Sequence, residues 1–120
     1  MRLSRVMRMK SRAEFSRVRE EGLSFGGSYL VLGYLPEPDL PTSFKFGIIL
    51  TRKVGNAVVR NRIRRRVRAI LGELGELVSS PGYLVMIARH RAPLASFEEL
   101  RKDFKKLARQ AGILSDMKSP

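Results

Sequence analysis

The sequence predicts an α+β fold: a single two-layer domain with a central mixed sheet and helices, in the order α-β-β-α-β-α, with room for one further short strand. Three observations carry this reading. The chain has 120 residues, 43% of them hydrophobic, which suits one core of ordinary size and leaves too little for two. Segments with apolar residues at helical spacing alternate with apolar runs of strand length. Two Ser-x-x-Glu boxes, at Ser11/Glu14 and Ser96/Glu99, mark helix starts near the two ends of the chain.

The first box opens a helix over 12–21, in which Phe15 and Val18 share a face and which Gly22 ends. SYLVLGYL (28–35) has strand composition, and PEPDLP (36–41), with three prolines, forces a loop. In SFKFGIIL (43–50), Phe44, Phe46, Ile48 and Leu50 alternate with Ser43, Lys45, Gly47 and Ile49, so one face of a strand packs on the core. A hairpin between these two strands is the simplest pairing. GYLVMIA (82–88) follows a Ser-Ser-Pro-Gly turn and reads as a buried strand. From Ser96, the spacing of Phe97, Leu100, Phe104, Leu107 and Ala111 gives the last helix, closed by Gly112. Glu98, Glu99 and Asp103 are read as capping and solubilising that helix. Residues 1–10 and 113–120 are expected to be disordered, leaving one domain over 1–120 without repeats or linkers.

Charge narrows the function. There are 24 Lys and Arg against 11 Asp and Glu, a formal net charge of +13. Such an excess opposes compaction unless an anionic partner offsets it, and nucleic acid, an anionic membrane or an acidic protein would all serve. Seventeen of the basic residues are Arg, whose planar fork grips phosphate and stacks on bases, which favours nucleic acid. There is no cysteine, so disulfides and thiolate metal sites are excluded, and the single His90 cannot build a metal site. MRLSRVMRMKSR at the start lacks the apolar run of a signal peptide, and no segment has the length of a membrane span, so a cytoplasmic protein with no membrane partner and no small-molecule cofactor is expected.

The densest charge lies in RNRIRRRVRAIL (60–71). On a helix, Val59, Ile63, Val67, Ile70, Leu71 and Leu74 form the core-facing stripe. Arg60, Arg64 and Arg68 then make a row on one flank, Arg62 and Arg66 a row on the other, and Asn61 and Arg65 project outward between them. Like charges at i, i+4 destabilise a helix by a few tenths of a kcal/mol per pair, roughly 1 kcal/mol for two such rows. No acidic residue occurs between Asp39 and Glu73 to relieve this, whereas phosphates could. Arg52, Lys53, Gly55 and Asn56 just before the helix extend the basic surface and supply a turn and cap, whose free N–H groups attract anions. Against this stands the ordinary expectation that a charge run is a solvated face.

These residues carry a resemblance. KVGNAVVRNRIRRRVR (53–68) is similar to the signature of the bacterial ribonuclease P protein component, with the Arg-Asn-Arg core matched by Arg60, Asn61, Arg62, Arg64, Arg65 and Arg68. RMKSRAEFSRVREEGLS (8–24) resembles the first helix of that family and GYLVMIARHRA (82–92) its later strand. The resemblance implies a central sheet with a left-handed βαβ crossover, contrary to the usual right-handed rule, in which the Arg-rich helix is the connection. It implies the protein subunit of a ribonucleoprotein that removes the 5′ leader from precursor tRNA, with the RNA subunit as catalyst and Mg²⁺ held chiefly by RNA phosphates. No residue of the protein is then catalytic or a metal ligand.

By matched position, the ribonuclease P RNA falls to Arg60, Asn61, Arg62, Arg64, Arg65 and Arg68, with Arg52, Lys53 and Asn56 in or beside the same patch. The resemblance also implies a cleft between the first helix and the sheet that receives the single-stranded leader of precursor tRNA, where Phe15 matches an aromatic position. Arg19 and Gly33 stand where the family often has further aromatics, and Arg19 can stack or bind phosphate instead. Tyr29 and Tyr34 lie nearby in sequence, and which of them faces the cleft depends on strand register, with Tyr34 taken as the further candidate. The rival reading is a structural RNA-binding protein of ribosomal type, which shares size and charge but takes part in no hydrolytic assembly.

Overall fold

The computed structural model describes residues 1–114. A 3₁₀ turn at Arg5–Met7 precedes helix α1 (Arg12–Glu21), strands β1 (Leu23–Gly26), β2 (Leu30–Pro36) and β3 (Lys45–Ile49), helix α2 (Ala57–Leu74), strand β4 (Gly82–Ala88) and helix α3 (Phe97–Gln110). Both Ser-x-x-Glu boxes close as expected. Ser11 accepts from the Glu14 N–H and Ser96 from the Glu99 N–H, while each Glu accepts from the main chain of its own cap residue. The Gly22 N–H donates to the Val18 carbonyl to end α1, and Gly112, at φ +74°, ends α3.

The sheet order is β1-β2-β4-β3, with β1/β2 and β2/β4 antiparallel and β3/β4 parallel. The expected hairpin between β2 and β3 therefore does not form. Strand β4 is buried along nearly its whole length and takes the centre, pairing with β2 from Leu30↔Ala88 to Pro36↔Gly82. The proline-bearing connection carries the chain past it to the far edge, where β3 pairs with β4 on one side and takes a single bridge from Arg8 to Phe46 on the other. Helix α2 thus links two adjacent parallel strands. Strand β1 is the additional short strand, largely exposed and, among the described residues, paired in the sheet with β2 alone.

Two apolar clusters lie on the two faces of the sheet. On one, Leu30, Leu32, Phe44, Phe46, Leu84 and Met86 meet the stripe Ile63, Val67, Ile70, Leu71 and Leu74 of α2 and Leu100, Phe104 and Leu107 of α3. Ile48 and Leu50 pack at its border, as the period-two pattern requires. On the other face, Val18 of α1 packs with Met9, Leu35, Tyr83 and Val85, and Phe15, Ile49 and Ile87 adjoin them.

Three local expectations are corrected. Residues 1–10 are not loose: Met7 and Met9 are buried, Arg8 bridges to Phe46, and the Met9 N–H donates to the Phe46 carbonyl at 2.7 Å. At the other end Ile113 is buried and Leu114 bridges to Val78, while residues 115–120 lie outside the described residues. Asp103 does not solubilise α3. It is buried, and its carboxylate accepts from the main-chain N–H groups of Ser28, Tyr29 and Leu30 at 3.0, 2.9 and 2.9 Å, fastening the β1–β2 turn to α3. Among the described residues no helix is long and apolar enough to cross a membrane.

Candidate nucleic-acid interface

Helix α2 begins at Asn56, whose side-chain oxygen accepts from the Val59 N–H at 3.0 Å. The preceding turn closes through hydrogen bonds from Val54 to Thr51 and from Gly55 to Arg52. Gly55 has φ +149°, and a Cβ there would stand 3.0 Å from the Val59 side chain, so this entry to the helix requires glycine. Arg52 and Lys53 are exposed on the turn. With the apolar stripe buried, the arginines fall on the flanks that the helical spacing gives them.

On the flank toward β3, the Arg68 guanidinium lies 5.4 Å over the Phe46 ring and Arg64 donates to the Asn61 side-chain oxygen at 2.8 Å. On the other, Arg66 donates to the Ala95 carbonyl at 3.1 Å. Asn61 and Arg65 are exposed between the rows. The Nε atoms of Arg60 and Arg62 are buried without a hydrogen-bond partner in the protein. Among the described residues, none of Arg60, Arg62, Arg64, Arg65, Arg66 and Arg68 pairs with a carboxylate. Glu73, the nearest acid along the helix, is held by Arg101 of α3. The guanidinium groups are therefore presented as unneutralised forks, the donor geometry that binds phosphate oxygens pairwise.

The second site lies between α1 and the sheet. Phe15, Val18, Arg19, Leu23, Ile49 and Ile87 are among the residues lining a groove of about 260 Å³. Its floor is apolar, and Arg19 is the charged residue of its lining. The Phe15 ring rests on β3: a Cβ on Gly47 would come 2.4 Å from Phe15 Cε1. Glu14, beside Phe15, joins α1 to β3 through an ion pair with Lys45 Nζ at 2.8 Å. Burial pushes the Glu14 carboxyl up, but the Lys45 ammonium and the N–H groups of Lys10 and Ser11 outweigh it and hold it below its ordinary 4.5.

Tyr34 does not face this groove. It lies 5% exposed in the main core on the opposite side of the sheet, its hydroxyl directed at the Ser80 and Pro81 carbonyls. Register decides this, because on β2 it is Gly33 that faces α1, where an added Cβ would meet Val18 at 3.3 Å.

The two surfaces are contiguous. Phe15 also borders a depression of about 160 Å³ shared with Arg8, Phe46, Gly47, Arg64 and Arg68, so its ring stands between the groove and the arginines of α2. Arg62 and Arg66 lie on the far flank of the helix. Arg8 and the β4 residues Val85 and Ile87 join the sites without having been singled out from sequence, where Arg8 lies in a segment read as disordered and β4 gives no sign of which residues face α1. No cluster of three or more His, Cys, Asp or Glu side chains among the described residues could hold a metal ion.

Comparison with known proteins places this arrangement. The family model for Ribonuclease P matches residues 3–112. The ribonuclease P protein component of Syntrophomonas wolfei is 34% identical over 113 residues, covering 94% of this chain and 93% of that protein. That of Bacillus cereus is 34% identical over 106 residues, covering 88% and 91%. Among solved structures, the RNase P protein of Staphylococcus aureus superposes with a TM-score of 0.83 at 24% identity, covering 91% of this chain and 98% of that one. The RNase P protein of Thermotoga maritima gives 0.77 at 24% identity, covering 86% and 96%. With its fold, its Arg-covered crossover helix and nearly its whole length matched, the chain belongs to the ribonuclease P protein component family.

Proposed function

We propose that α2 binds the catalytic RNA of ribonuclease P and that the groove beside Phe15 holds the single-stranded 5′ leader of precursor tRNA, in a cytoplasmic assembly whose RNA performs the hydrolysis. Membership of the family gives the chain its role as a subunit of this tRNA-processing ribonucleoprotein. The observation that carries the finer reading is the row-by-row presentation of six arginines, Arg60 to Arg68, without a carboxylate partner among the described residues. Asn61, Arg52, Lys53 and Asn56 border that surface.

In this reading the protein contributes position and charge. Arginine forks replace counterions around close-packed phosphates, and the gain in affinity falls with salt accordingly. An aromatic ring on an apolar floor suits unpaired bases of any sequence, since stacking needs only a π-face. Arg19 at the groove would take a leader phosphate or stack on a base. Among the described residues no cluster of carboxylates fits a Mg²⁺ site, and in this reading RNA phosphates hold the metal.

Reconstitution with a bacterial ribonuclease P RNA at low magnesium tests this function. Added protein should stimulate cleavage of precursor tRNA, and the protein alone should cleave nothing. Absence of stimulation would favour a structural RNA-binding role of ribosomal type.

A further inference from the structure

Residues 3–9 lie as a strap against β3 and α2. Met7 and Met9 are buried on either side of Arg8, and the main-chain bridge to Phe46 fixes the residue between them, so Arg8 turns outward. Arg5 is exposed on the 3₁₀ turn just before it. Arg5, Arg8 and Arg68 come together with Leu3 and Ser4 around a depression of about 210 Å³. A water takes up roughly 30 Å³ in the liquid, so a phosphate group and bridging waters have room there.

None of the lining residues is acidic, and none of the three arginines pairs with a carboxylate among the described residues. Arg68 is already held in place over the Phe46 ring. Three guanidinium groups from two separate elements around one depression repel one another, and a bound phosphodiester would reverse the sign of that interaction while accepting their forks.

We propose that Arg5 and Arg8 of the strap, with Arg68 of α2, form a pocket for a backbone phosphate of the RNA subunit, making the strap a second element of the subunit-binding surface. The assignment rests on the proposed RNA-binding role of α2. Arg8 and Arg68 also border the depression at Phe15, but the subunit is chosen over the leader because Arg5 does not, and because Leu3 and Arg68 border a further depression along α2 with Arg65, Ala69 and Gly72.

The test uses the full chain carrying Arg5→Ala, Arg8→Ala or both, each with its fold checked by circular dichroism. A Lys102→Ala/Lys106→Ala variant removes the same charge from α3. Arg62→Ala probes the far flank of α2. Affinity for a bacterial ribonuclease P RNA is measured across a salt series. Each strap substitution should weaken binding about tenfold, as loss of a charge-assisted hydrogen bond does. The double variant should lose less than the product of the two and lower the log–log salt slope by about 0.7 to 0.9, the share of one phosphate.

A loss no greater than that of the α3 variant overturns the pocket, as do multiplicative losses or a defect confined to leader-bearing substrate in the assembled enzyme. If Arg62→Ala weakens binding while the strap variants do not, the pocket fails and the α2 reading stands. If none weakens it, both fail.

Discussion

The Phe15 ring lies directly on Gly47, so close that a methyl group on that glycine would stand 2.4 Å from Phe15 Cε1. One side chain of α1 and one missing side chain of β3 together shape the wall between the apolar groove and the arginines of α2. Gly47→Ala should push the ring off the strand and destabilise the fold by about 1 to 3 kcal/mol, the usual range for overpacking. Thermal unfolding checks the stability, and the ratio of affinities for precursor and mature tRNA in the assembled enzyme checks the groove. An unchanged melting temperature with an unchanged ratio would mean that the ring does not depend on this contact.

Phe15→Ala separates a stacking platform from a core residue. As a platform it should reduce affinity for leader-bearing tRNA by about 1 to 3 kcal/mol, the range for one stacked base, and leave mature tRNA nearly unaffected. Equal losses for both substrates would make Phe15 a packing residue of the α1 face.

Asp103 is a strong structural test because one carboxylate serves the N–H groups of Ser28, Tyr29 and Leu30. Asp103→Ala leaves these donors without their acceptor in a largely buried site and should destabilise the protein by about 3 kcal/mol or more. Chemical denaturation measures this. A loss under 1 kcal/mol would show that water replaces the carboxylate.

Glu14 sets a pH dependence. Its folded pKa is held below the ordinary 4.5, so its contribution to stability is fully present above that value and is lost as pH falls through the lower folded value. Glu14→Gln should therefore flatten the acid limb of the stability curve and leave its slope near neutrality unchanged. An acid limb identical to that of the parent protein would rule out the Lys45 pair as its source.

What the sequence made legible follows from the range of the forces involved. Both capped helices, the stripe of α2 and the alternation of Phe44, Phe46, Ile48 and Leu50 depend on neighbours within a few residues, and all appear in the structure. Pairing of the strands does not. β4 displaced the expected β2–β3 hairpin because a strand apolar on both faces is most stable at the centre of a sheet. Tyr34 went to the wrong side for the same reason, since facing is set by a register that only the partner strands define. Strand β1 is short and exposed and carries no periodic signal. Asp103 reaches residues some 75 positions away, which no local pattern reports. The strap did leave one trace, the buried pair Met7 and Met9 about an outward Arg8, hidden within a stretch read as disordered.

The face of the protein that meets the RNA subunit can be read directly, because the chain has no cysteine and a single one can be introduced at will. A photo-crosslinker attached at Ala69→Cys, exposed on α2, is compared with one at Lys106→Cys, exposed on α3. In complexes with ribonuclease P RNA, crosslinks should form from position 69 and fade as salt is raised, with few from position 106. Efficient crosslinking from α3 and none from α2 would contradict the assignment of the arginine helix to the RNA.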